Sequence, residues 1–119
     1  MSLFDVAMEY ASHRALSWGR MLICARSDDA FGYRVMMAKL QPVPVLSVPR
    51  MAVDGTGLAL LAWLFGRHAI YMDGGGLPTA SPDAWREAAQ IYTDLCLLAD
   101  VTPDADAFIR QRQALTLAS

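Results

Sequence analysis

The chain has 119 residues, 55% of them apolar and 18% charged, and a mean hydropathy of +0.26. That is the length of one domain, and the composition lies far from those that stay disordered. Ten basic against twelve acidic side chains leave a net charge of −2, which excludes the basic footprint needed to grip a phosphate backbone.

A chain of this size buries about 65% of its extended surface on folding, enough for a cooperative core without disulfide or metal staples. Residues 1–60 carry six positive and five negative groups, and residues 61–119 carry four and seven, a mild asymmetry that reads as a solvated acidic surface on the second half. The longest uncharged run, Gly55 to Gly66, has twelve residues, short of the roughly 18–20 that span a bilayer. Asp5 and Glu9 precede the first basic residue, Arg14, which reverses the charge order of a secretory signal. The expected compartment is therefore the cytoplasm, where Cys24 and Cys96 are expected as two reduced core thiols.

Ser2 can cap a first helix over residues 3–24, with Phe4, Met8, Ala11, Ala15, Trp18 and Leu22 forming one stripe at helical spacing. Glu9, Arg14 and Arg20 fall mostly off that stripe. Arg26 to Gly32, with Asp28 and Asp29, make a polar turn. From Tyr33 to Leu40 the side chains alternate without Gly or Pro, as in a strand. Pro42 to Pro49 is apolar and β-branched but broken by residues that cannot donate to a ladder, so it reads as an edge strand or one paired only through Val45 to Val48. An antiparallel two-stranded hairpin turning near Gln41 and Pro42 is the expectation.

Asp54 offers a second cap before the apolar run Leu58 to Phe65, and a helix with no polar face belongs in the middle of the core. The helix can end at Gly66, with His68 to Met72 a short strand, or run through to Tyr71; the continued helix is the expectation, because no strong turn signal intervenes before Asp73 and Gly74 to Gly76. Ser81-Pro82-Asp83 and Thr102-Pro103-Asp104 each set a hydroxyl at a cap, a proline at the first helical position and a carboxylate in the first turn. They predict helices over about 82–99 and 103–116. Trp85, Ala88, Ala89, Tyr92, Leu95, Cys96 and Ala99 face inward on the first, and Ala105, Phe108, Ile109 and Leu115 on the second. The short connection makes these two a helical hairpin. The whole is an α+β fold in one compact domain, residues 1–119: an amphipathic helix, a short antiparallel hairpin, a central buried helix and a C-terminal helical hairpin.

The chemistry-bearing residues are scattered. His13 and His68 each stand alone, away from either cysteine, whereas metal sites need converging donors. No Gly-x-Ser-x-Gly elbow is present. His13 and Cys24 would stand about 16 Å apart along one continuous helix. Asp54-Gly55-Thr56-Gly57 opens a helix as a phosphate cradle would, but it lacks the lysine, and Asp54 would repel an anion. Asp28 and Asp29 are the best adjacent carboxylates, and water screens both. These spacings favour a non-catalytic chain with no cofactor and no metal. Met21, Met36, Met37, Met51 and Met72 are adaptable side chains that serve as core filler or as contacts for a partner.

The segment Met51-Ala52-Val53-Asp54-Gly55-Thr56-Gly57-Leu58 looks like the lead-in to the central helix of the KlcA/ArdB antirestriction family. Tyr92, Leu95 and the stretch Thr102-Pro103-Asp104-Ala105 to Ile109 are similar to that family's Tyr-x-x-Leu helix and the Pro-acidic-Ala helix after it. The similarity covers residues 51–113; the strand region lacks the family's paired glycine and aromatic signature. The resemblance implies a non-enzymatic inhibitor from a bacterial mobile element, acting by contact with a restriction or other nucleic-acid-targeting defence complex and not on nucleic acid itself. The competing class is a small adaptor or secretion-chaperone-like homodimer. The expected contact residues are Asp28, Asp29 and Asp73, loop carboxylates beside apolar elements that can complement a basic partner protein.

Overall fold

The structure is a computed structural model that describes residues 1–18, 22–25, 45–72 and 82–118. Helix α1 (Leu3–Trp18) leads to strand β1 (Leu22–Ala25) and strand β2 (Val45–Val48), followed by helices α2 (Gly55–Met72), α3 (Pro82–Ala99) and α4 (Ala105–Ala118).

Helix α1 begins on a reciprocal cap. The Asp5 backbone N–H donates to Ser2 Oγ at 3.1 Å, while the Ser2 backbone N–H and hydroxyl both donate to Asp5 Oδ2 at 2.9 Å. Two free helix-start donors are satisfied in this way. The buried face is Leu3, Val6, Ala7 and Tyr10; of the expected stripe, Ala11 packs against the core but Met8 is 46% exposed. Apolar residues occupy two overlapping faces of this helix. The selected face includes Arg14, whose guanidinium reaches the next layer and so needs the inward side.

The strands correct the sequence reading. β1 and β2 run parallel, with Leu22 opposite Val45 and Ala25 opposite Val48, where an antiparallel hairpin is expected. The helix ends at Trp18, and the residues assigned to its last turn form β1. Short apolar runs such as Leu-Ile-Cys-Ala carry no periodicity that separates helix from strand. Parallel pairing requires a crossover of about a dozen residues or more, and residues 26–44 are long enough to provide it. Among the described residues β2 pairs over Val45 to Val48, which lie between Pro44 and Pro49 in the sequence. The strand expected over residues 33–40, like the turn near Gln41, lies outside the described residues. Alternation places Ile23, Leu46 and Val48 on the core face: Leu46 and Val48 are buried and Ile23 packs beside them.

Helix α2 is the hub of the molecule. It contacts α1, β2, α3 and α4, and Leu58, Ala59, Leu61, Ala62, Trp63 and Phe65 are all buried. No side of its middle faces water freely, as its lack of a polar face requires. The helix continues through Gly66, where a Cβ would stand 3.1 Å from the Ala88 side chain and 3.3 Å from the Ala88 backbone. This glycine lets α2 and α3 approach closely.

Helix α3 spans the expected residues. Its inward side comprises Ala84, Ala88, Ile91, Tyr92, Leu95 and Cys96; Trp85, Ala89 and Ala99 are partly buried against the same core. It ends in a Schellman turn, with Val101 N–H donating to Cys96 O at 2.9 Å and Asp100 N–H to Leu97 O at 3.3 Å. Asp100 takes the left-handed position, φ 55°.

Helix α4 starts two residues later than expected, and its cap is Asp104. Asp104 Oδ1 accepts from Ala107 N–H at 3.1 Å, while Thr102 and Pro103 remain outside the helix. Ala107 and Phe108 are buried, whereas Ala105, expected inward, is exposed and Ile109, also expected inward, is 42% exposed. α4 runs back along α3, since Asp104 meets Tyr92 and Arg112 lies over Trp85. Its backbone, however, packs more closely on α2, and it meets α3 through Asp104, the Phe108 ring and the Arg112 guanidinium.

Candidate functional site

The polar groups of the helical half converge on the Tyr92 hydroxyl. It donates to the Gly55 carbonyl at 2.8 Å and accepts from the Asp104 backbone N–H at 2.9 Å. The first turns of α2 and α4 thus meet at one phenol from α3. Each helix start brings its own anion: Asp54 Oδ1 accepts from Thr56 N–H at 3.0 Å and Gly57 N–H at 2.9 Å, as Asp104 does for Ala107. The amides of Asp54-Gly55-Thr56-Gly57 that would cradle a phosphate are therefore already occupied by a carboxylate. Gly57 is required here by steric fit, because a Cβ would lie 2.1 Å from the Ala52 carbonyl oxygen.

Below Tyr92 the rings of Trp63, Trp85 and Phe108 join the three helices. Phe108 stacks on Tyr92 at 5.2 Å and on Trp63 at 4.6 Å, and meets Trp85 edge-on at 5.5 Å. Trp63 Nε1–H donates to the Phe108 carbonyl at 2.8 Å, which satisfies the polar end of a buried indole. The Arg112 guanidinium lies 4.9 Å from the Trp85 ring centre and 5.9 Å from that of Trp63, covering the outer side of the cluster with a cation.

A second polar link ties α1 to α3. Arg14 donates to Tyr10 Oη at 2.9 Å and to Glu87 Oε1 at 3.0 Å. Burial pushes the Tyr10 phenol above its ordinary pKa, against the opposing hydrogen bond from Arg14. Tyr92 is raised for the same first cause.

Among the described residues the candidate reactive groups do not come together. His13 is exposed on α1. Cys24 lies on β1, so the continuous helix that would have placed it in line with His13 does not exist. Cys24 is partly buried and Cys96 buried, both as free thiols, and burial raises the pKa of each, which suppresses the thiolate. The Ser12 and Thr93 hydroxyls donate to the carbonyls of Glu9 and Ala89 in their own helices. Among the described residues no three His, Cys, Asp or Glu side chains are grouped to hold a metal ion, and no helix is long and apolar enough to cross a membrane. Asp28, Asp29 and Asp73 lie outside the described residues. Met51 is partly buried against the core.

Among the described residues three helices present exposed faces: α1 does so with Asp5, Met8, Glu9 and Ser12, Met8 being 46% exposed, and α3 and α4 each carry one as well. On α3 the side chains Asp83, Arg86, Gln90, Thr93 and Leu97 are all exposed along one stripe, with Arg86 paired to Asp83 in the first turn. Leu97 is 77% exposed at its end. On α4, Asp106, Ile109, Arg110 and Gln113 form a comparable exposed face. Leu97 and Ile109 are the contact candidates that the sequence reading passed over. The signal for Leu97 was present: it lies seven residues after Gln90, on the outward side of an amphipathic helix. Ile109 is hidden by its neighbour, because Phe108 takes the core side through its ring contacts with Trp63, Trp85 and Tyr92. No family model, no curated protein sequence and no solved structure matches this chain.

Proposed function

We propose that the chain is a non-catalytic protein-interaction module, and that it serves as an antirestriction-type inhibitor of a nucleic-acid-targeting defence complex. The observation that carries the contact part of this reading is the exposure of Leu97, 77%, and Ile109, 42%, on helix faces otherwise made of polar side chains. The Asp54 and Asp104 carboxylates and the Tyr92 phenol work internally, as caps and clamps on backbone groups, and so supply architecture. The antirestriction part rests on the resemblance of residues 51–113. An apolar anchor inside a polar rim is the usual anatomy of a protein contact.

The test is the plating efficiency of an unmodified phage on a restricting host that expresses the chain. Wild type is expected to raise plating, and the double variant Leu97→Asp with Ile109→Asp to abolish that rise while its urea midpoint stays within about 0.5 M of wild type, since exposed substitutions are usually close to neutral. A wild-type chain that gives no relief overturns the antirestriction role. Relief that survives both substitutions overturns the surface.

A further inference from the structure

We draw no further inference here: the strongest candidate, the face of the two-stranded sheet where the buried Ser47 hydroxyl, on the strand position opposite Cys24, has no hydrogen-bond partner among the described residues, rests on a lone cysteine and a partly buried serine, and nothing in the structure shows what covers that face.

Discussion

Replacing Tyr92 by Phe removes one oxygen from the point where three helices meet. The ring stays, and with it the stacking on Phe108 at 5.2 Å, so the change isolates the hydroxyl. Two backbone groups lose their partner: the Gly55 carbonyl at 2.8 Å and the Asp104 N–H at 2.9 Å. An unsatisfied buried polar group costs about 1–3 kcal/mol. Both groups here are only partly buried, and water can reach Asp104, so about 0.75–1.5 kcal/mol applies to each, at or just below the low end of that range, and the sum is about 1.5–3 kcal/mol. Equilibrium unfolding in urea, followed by tryptophan fluorescence, reads it directly. With a slope of about 1.5 kcal/mol per molar, the midpoint should fall by about 1–2 M. Tyr92→Leu, which also loses the ring, should fall further. A Tyr92→Phe midpoint within about 0.3 M of wild type would refute the idea that this phenol fastens the starts of α2 and α4.

Gly57→Ala should destabilise the fold by about 1–2 kcal/mol, because a helix-propensity gain of about 1 kcal/mol is outweighed by overpacking against the Ala52 carbonyl. Gly66→Ala, with its looser contact on Ala88, should cost less, and thermal melts of both variants check the order. Asp100→Gly should stabilise by about 0.5–1 kcal/mol, since glycine takes the left-handed position more readily and a negative charge leaves the end of α3; a lower melting temperature would contradict this. Burial raises Tyr10, Tyr92, Cys24 and Cys96, so the folded chain keeps protons that the unfolded chain has released. Their contribution is complete below the unfolded values, about 8.5 for a thiol and 10 for a phenol, and declines as pH rises beyond them. Urea midpoints between pH 7 and 11 should therefore fall, and a flat profile would be inconsistent with these burials. At the acid end, the Ser2 backbone and hydroxyl hydrogen bonds hold the Asp5 carboxyl below its usual range, so α1 should begin to fray as pH drops through about 4 and below, visible as loss of amide protection in its first turn.

The helices were legible where local chemistry writes them. Ser2 marks the start of α1, Pro82-Asp83 that of α3, and the uncharged run after Asp54 places α2 at the centre. Boundaries and faces were less so. Thr102 and Asp104 are both competent caps two residues apart, and the choice falls to Asp104 because its backbone N–H is the one Tyr92 binds, a contact made twelve residues away. The buried face of α1 depends on whether Tyr10 or Met8 finds a partner; Tyr10 meets Phe65 ring to ring at 5.3 Å, a pairing no local spacing announces. The same holds for β1, whose four residues take their conformation from β2, far along the chain. Charge in expected loops singles out Asp28, Asp29 and Asp73 as contact residues; Leu97 is legible from its spacing to Gln90, whereas Ile109 stands out only once the orientation of α4 is known.

The central position of α2 has a consequence for synthesis. Its apolar middle is complete when Gly66 has been added, but Phe108, which closes over Trp63, comes 42 residues later. At about 5–20 residues per second the ribosome needs about 2–8 s to deliver that cover. Throughout that interval Trp63 lacks the Phe108 ring that stacks on it in the finished fold. Truncations that stop short of Phe108 never gain that ring, and they should be recovered bound to chaperones or in inclusion bodies.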